Sequence, residues 1–163
     1  MNYATADLCD AHEGEVLVPV LPGLRDFGGR IVFHGVVSTI VAFEDNSRVR
    51  EAVAESGKGR VLVVNAGSSL RRAMLGDLLA AKAVGNGWEG IVILGAIRDS
   101  AAIAQLNLGV KALGVCPRKT EKLGAGQRDV PLELGGIVVR PGQFAHADAD
   151  GIVFSASALT APE

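Results

Sequence analysis

Apolar residues recur along this chain in short, nearly unbroken runs separated by glycine-rich turns. Arg60-Val61-Leu62-Val63-Val64-Asn65 is one such run, Ile91-Val92-Ile93-Leu94 a second, and residues 110–115 a third. Continuous runs of this length, rich in branched side chains, read as strands buried on both faces. Residues 31–42 also read as β, bent at Gly35. Helical patterning fills the gaps. Asp45-Asn46-Ser47 precedes a helix over residues 48–55 with Val49 and Val53 on one face, and Gly57-Lys58-Gly59 ends it. Residues leading up to Met74 read as helical, as do residues 77–86, closed by Gly85 and Gly87, and a short stretch over 100–105. At the N-terminal end, Thr5 is placed to cap a helix over residues 5–12. In the last third, residues 130–134 and 136–139 form a hairpin turning at Gly135-Gly136. Asp148-Ala149-Asp150-Gly151 turns the chain into a final strand over 152–155.

The order is β at both ends with β-α-β-α-β between. It predicts an α/β fold in one domain spanning residues 1–163: a central parallel sheet backed by helices, with flanking antiparallel β segments. Composition narrows the classes. With 163 residues, 48% of them hydrophobic but only 4% aromatic, the core is aliphatic, and the chain is long enough to build one. The formal net charge of −2 and the absence of a clustered basic face argue against direct nucleic-acid binding. Lys119, Lys122, Arg118 and Arg128 gather near one loop and read as solvated charge. No segment is long enough to span a bilayer, so no membrane role is expected. Cys9 and Cys116 share no metal-binding spacing, which argues against an ordinary zinc site. Two free thiols fit a reducing, cytoplasmic setting.

Candidate chemistry centres on Leu75-Gly76-Asp77-Leu78-Leu79 and, with twenty residues between it and Asp77, Arg98-Asp99. A helix N-terminus offers unpaired N–H groups and the positive end of a dipole to a carboxylate. Taken alone, Asp77 reads as an ordinary acid in the first turn of a helix. Arg98-Asp99 follows an apolar strand, and ligands of open α/β sheets bind beyond the carboxyl ends of strands. There Asp99 suits Mg²⁺ or Mn²⁺, and Arg98 suits a substrate carboxylate. A surface ion pair or helix cap is the competing reading. Asn65-Ala66-Gly67-Ser68-Ser69 lacks the glycine spacing of a dinucleotide site. His12, His34 and His146 lie far apart and share no motif, so each reads as structural or surface.

Several motifs together resemble the RraA-like family, which includes regulators of ribonuclease activity A and 4-hydroxy-4-methyl-2-oxoglutarate aldolases. They include Phe27-Gly28-Gly29-Arg30, Phe43-Glu44-Asp45-Asn46, Ser69-Leu70-Arg71-Arg72-Ala73, Gly76-Asp77, Gly95-Ala96-Ile97-Arg98-Asp99 and Ala147-Asp148-Ala149-Asp150-Gly151. The resemblance covers nearly the whole chain. It implies a swivelling β/β/α domain assembled as a homotrimer. It also implies a class II, divalent-metal aldolase and decarboxylase that cleaves 4-hydroxy-4-methyl-2-oxoglutarate to pyruvate and decarboxylates oxaloacetate. In that family an acid, twenty residues and Arg-Asp form the signature. Carried over, Asp99 is the metal ligand and Asp77 supports the metal's waters. The backbone of Gly76, Asp77, Leu78 and Leu79 holds the pyruvoyl carboxylate, and Arg98 stabilises developing charge. The alternative the resemblance carries is a protein that binds and inhibits an endoribonuclease of RNase E type without catalysis. Where many members read Asp-Gly-Gly-Gly, this chain has Asn65-Ala66-Gly67-Ser68. Where enzyme members often carry a further acid after Arg-Asp, it has Ala102, and it ends at Glu163 where the aldolases run longer.

Overall fold

The computed structural model describes residues 3–160. In chain order the first half runs α1 (Thr5–Ala11), β1 (Arg25–Asp26), β2 (Phe33–Val41), α2 (Ser47–Val53), β3 (Arg60–Asn65), β4 (Ala73–Leu75) and α3 (Asp77–Gly85). The second half runs β5 (Gly90–Ile97), α4 (Ser100–Ile103), β6 (Gly109–Val115), β7 (Gln127–Arg128), β8 (Leu132–Leu134), β9 (Ile137–Val139), β10 (Phe144–Asp148) and β11 (Gly151–Ser155).

The main sheet has the order β1-β6-β5-β3-β2-β10-β11, with β4 added beside β5 and β7 beside β2. Its middle, β6-β5-β3-β2, is parallel, and β1, β10 and β11 are antiparallel at the margins. The expected central parallel sheet with antiparallel flanks is the fold observed.

The period-two alternation of a strand explains the layering. Along β3, Leu62 and Val64 face an apolar cluster shared with Val49, Ala80 and Trp88 under the helices. Val61 and Val63 face the opposite cluster, closed by Leu132, Leu134 and Val139 of the β8–β9 hairpin. The sheet is thus sandwiched between helices and a small hairpin. Burial on both sides is why its strands are continuous apolar runs.

Three local expectations change. The residues before Asp77 are not helical up to Met74. Ala73–Leu75 is a strand, because pairing with β5 overrides the local pattern. Thr5 does not cap α1. Ala4 occupies the cap position, and the Thr5 backbone N–H and hydroxyl both donate to Asp148, at 2.7 and 2.8 Å, pinning α1 to the end of β10. Phe144–Asp148 is a strand of its own, so Asp148 ends β10 as well as opening a turn.

Candidate functional site

β4 and β5 run parallel, with Leu75 paired to Ile97. The next residues along both strands therefore emerge side by side. Gly76 and Asp77 begin α3, while Arg98 and Asp99 lead into α4, and the Arg98 N–H donates to the Leu75 carbonyl at 2.9 Å. The twenty residues between Asp77 and Arg98 are the length needed for α3 to run out and β5 to return. All of Gly76, Asp77, Leu78, Leu79, Arg98 and Asp99 line one cleft of about 330 Å³.

The contacts are close. Asp99 Oδ2 accepts the Asp77 backbone N–H at 3.1 Å and lies 3.8 Å from Arg98 Nε. Both side chains are about two-fifths exposed, at 40% for Arg98 and 39% for Asp99. Asp99 adopts a left-handed backbone, φ 53° and ψ 41°, an arrangement Asp tolerates better than most residues. Gly76 is required for space rather than for φ. A Cβ there would sit 2.9 Å from Asp99 Oδ2 and 3.2 Å from Arg98 Nε. Having no side chain, Gly76 also leaves α3 without a side-chain cap. The Asp77 N–H is taken by Asp99, and the next two first-turn N–H groups, of Leu78 and Leu79, have no acceptor within the helix. The Leu78 side chain stands 81% exposed at the mouth.

Cations dominate the remaining walls. Arg50 of α2, Lys82 of α3, Lys119 and Lys122 join Arg98, so five cationic residues face two carboxylates. Among the described residues, Arg50, Lys82, Lys119 and Lys122 form no ion pair. Lys82 is solvent-exposed, as its position one turn beyond Leu78 implies. Asn46 also lines the cleft; it is 7% exposed, and its Oδ1 is buried without a hydrogen-bond partner. In the sequence these residues read only as loop charge and a helix cap, because nothing local shows that the loop after β6 folds back onto the start of α2. Such a cleft on a chain of net charge −2 focuses a local positive potential suited to small anions.

The donor set bears on metal choice. Asp77 and Asp99 are hard oxygen donors, and among the described residues no group of three or more His, Cys, Asp or Glu converges. That fits Mg²⁺ or Mn²⁺, which keep several waters and need few carboxylates, better than zinc.

A family model for RraA-like proteins, described as Aldolase/RraA, matches residues 5–154. The chain belongs to the RraA-like family. It is 54% identical over 163 residues to a Pseudomonas aeruginosa protein, covering 100% of both chains. It is 52% identical over 159 residues to one from Alkalilimnicola ehrlichii, covering 98% of both. Both are named, by inference, as 4-hydroxy-4-methyl-2-oxoglutarate aldolases. Among solved structures, the RNA-processing inhibitor RraA from Thermus thermophilis superposes with a TM-score of 0.91 at 43% identity, over 98% of this chain and 96% of that one. A Geobacillus kaustophilus structure, described as an S-adenosylmethionine: 2-dimethylmenaquinone methyltransferase, superposes at 0.94 with 46% identity, over 96% and 97%. No helix of this RraA-like chain is long and apolar enough to cross a membrane among the described residues.

The departures from the family pattern have structural counterparts. Asn65 at the end of β3 accepts the Gly67 N–H at 3.0 Å and donates to the Glu133 carbonyl at 3.0 Å, so its side chain ties the loop to β8. Ala102 is an exposed residue of α4. Arg128, expected to be solvated, makes a two-pronged pair with Glu55, both contacts at 2.8 Å.

The histidines are not all isolated. His34 on β2 and His146 on β10 are register partners with ring centroids 5.9 Å apart, and both rings contact Phe144. Burial, followed by the charges of His34 and His12, lowers the His146 pKa from 6.5 to about 4. The neutral ring accepts the Leu159 N–H at 3.5 Å. Because the folded state binds this proton more weakly than the unfolded state, stability is full above pH ~6.5 and falls as pH drops toward ~4. Chemical denaturation of the wild type at pH 7 and pH 5 is expected to show a loss on the order of 2 kcal/mol. His146→Gln is expected to flatten that dependence.

Proposed function

We propose that this chain is a divalent-metal-dependent carbon–carbon lyase that forms pyruvate from 2-oxo acids. Its substrates would be 4-hydroxy-4-methyl-2-oxoglutarate, by aldol cleavage, and oxaloacetate, by decarboxylation. In this reading it acts as a single RraA-like domain over residues 1–163, assembled as a homotrimer. The observation that carries the reading is the parallel pairing of Leu75 with Ile97, which brings Asp77, Arg98 and Asp99 into one cation-rich cleft. The aldolase names of relatives at 52–54% identity support it.

In both reactions the bond between C3 and C4 breaks and its electrons move onto the 2-oxo oxygen, giving the enolate of pyruvate. In the decarboxylation carbon dioxide leaves. In the aldol cleavage the 4-hydroxyl gives its proton to water and a second pyruvate departs. C3 then takes a proton from water. Asp99 would hold the metal and Asp77 its waters; when bound, such a cation supplies Lewis-acid polarisation of a 2-oxo group. The free N–H groups of Leu78 and Leu79 orient the pyruvoyl carboxylate at the positive end of α3. Arg98 places a fixed positive charge beside the oxygen where negative charge grows, and a preorganised charge needs no reorganisation at the moment of reaction. No lysine Schiff base is required, and Lys82 is left as a contributor of charge.

The test is pyruvate release from oxaloacetate. The protein with Mg²⁺ or Mn²⁺ is expected to exceed the rate of the free metal, EDTA to abolish the excess, and added metal to restore it. A protein that adds nothing to free Mg²⁺ overturns the reading.

The second reading, an inhibitor of an RNase E-type endoribonuclease, is favoured by the 0.91 superposition on the Thermus RNA-processing inhibitor. A pull-down with the endoribonuclease tests it, and no retention at micromolar concentration counts against it. A methyltransferase role, named for the Geobacillus neighbour, gains no support from the turn after β3. Asn65 closes that turn, and glycine spacing for a nucleotide is missing.

A further inference from the structure

Asp45 is 3% exposed, yet it carries a carboxylate on the short segment between β2 and α2. Its Oδ1 accepts the Ser47 backbone N–H at 2.9 Å and the Ser47 hydroxyl at 2.6 Å. Its Oδ2 accepts the N–H groups of Leu123 at 2.7 Å and Ala125 at 3.3 Å. One carboxylate therefore joins the first turn of α2 to a loop almost eighty residues further along the chain. Burial alone would raise its pKa, but these hydrogen bonds outweigh that and hold it below the ordinary carboxylate range.

The two segments that Asp45 joins are the ones that carry the cationic wall. α2 holds Arg50, and the loop holds Lys119 and Lys122. Smaller ties run in the same direction. The Asn46 N–H donates to Thr120 Oγ1 at 3.2 Å, and the Gly124 N–H donates to Ser47 Oγ at 3.0 Å. Lysine side chains are long and bring considerable rotamer entropy, so their placement depends on the backbone beneath them. That backbone meets the main sheet where Lys119 bridges Ala73 of β4 and again at β7; between those two ties, the segment carrying Lys122 is joined to α2 through Asp45.

We propose that Asp45 is a positioning residue: it fixes Lys119 and Lys122 opposite Arg50 so that the cleft grips a second carboxylate, remote from the 2-oxo group of its substrate. The inference rests on the lyase reading for the identity of the substrate's reactive end. It adds that selection between monocarboxylates and dicarboxylates is set by a buried acid that touches neither.

The test is calorimetric titration of the full chain, in Mg²⁺, with 2-oxoglutarate and with pyruvate, which share the 2-oxo acid end and differ in the second carboxylate. The wild type is expected to bind 2-oxoglutarate more tightly. Asp45→Asn, which turns an amide NH₂ toward backbone donors, is expected to weaken 2-oxoglutarate by about tenfold and pyruvate by less than about twofold. In a Lys119→Gln/Lys122→Gln background the same substitution is expected to have no further effect, since residues acting through one another are not additive. Equal weakening of both ligands, an undiminished effect without the lysines, or a wild type that does not prefer 2-oxoglutarate overturns the proposal. Should Asp45→Asn fail to fold, Ser47→Ala removes one donor to Oδ1 and the acceptor for Gly124. It is expected to give a selectivity loss of the same kind but smaller, about threefold, and no change refutes the proposal. The binding assay needs no turnover. A chain that shows this selectivity but releases no pyruvate from oxaloacetate refutes the lyase reading and leaves Asp45's role standing. An active lyase without the selectivity does the reverse.

Discussion

Asp99→Asn is expected to reduce metal-dependent pyruvate release from oxaloacetate to the rate of free Mg²⁺ while leaving the fold intact. Two features make asparagine the informative replacement. Asp99 sits at φ 53°, and Asn is among the few residues that accept that conformation readily, whereas alanine would add strain unrelated to chemistry. The amide oxygen can also still accept the Asp77 N–H that Oδ2 takes at 3.1 Å. What is lost is the negative charge. A neutral amide holds a hard divalent cation poorly, and removing one preorganised electrostatic element from such a site costs roughly 10²–10³ in rate. Steady-state decarboxylation, run beside a thermal melt, separates the outcomes. An unchanged melting temperature with activity gone supports the assigned role. Retained activity refutes Asp99 as the ligand, and lost activity with a lowered melting temperature points to structure.

Gly76→Ala is the second large effect, and it involves no charge at all. The backbone at Gly76, φ −123° and ψ −175°, is open to any residue, so alanine brings no conformational penalty there. It brings a methyl group into a space already filled by Asp99 Oδ2 and Arg98 Nε. Both lie on exposed, movable side chains, so the fold is expected to absorb the change. The site is not, because a displacement of about 1 Å in a catalytic group can cost about 10²-fold. The expected result is a fall in kcat of about that size with metal affinity also weakened, read from decarboxylation rates across a Mg²⁺ titration. A variant with wild-type rates would show that Arg98 and Asp99 do not act in the positions seen here.

Much of the site was legible before any fold was known, though only in halves. A helix opening at Gly76-Asp77 and an acid-base pair closing an apolar strand at Arg98-Asp99 are local patterns, and each had an ordinary structural explanation. The residues just before Gly76 read as helical, and that was the misreading that mattered. As a strand, Ala73–Leu75 is short and takes its identity from hydrogen bonds to β5, which lie more than twenty residues away and leave no local period. The same reason hid Arg50, Asn46, Lys119 and Lys122. Their meeting depends on long-range ties, Lys119 to Ala73 of β4 and Asp45 to the loop, and no pattern of hydrophobic spacing encodes them. His34 and His146 become neighbours only through the β2–β10 register.

The sequence by itself determined the buried strands β3, β5 and β6 and the helices α2 and α3 that build the α/β fold. Runs of branched aliphatic residues long enough for buried strands, interrupted by glycine turns and amphipathic helices, leave few other ways to hide that surface. It also determined the chemical character of the candidate site, since one arginine and two carboxylates at fixed spacing are covalent facts of the chain. The tertiary structure decided what those groups face. Parallel pairing of Leu75 with Ile97 turned a separation of 22 residues into a hydrogen bond of 3.1 Å between Asp77 and Asp99. The loop folded back by Asp45 gave the cleft its excess of positive charge. Both are long-range pairings, fixed by the packing of the whole sheet rather than by any segment's own preference.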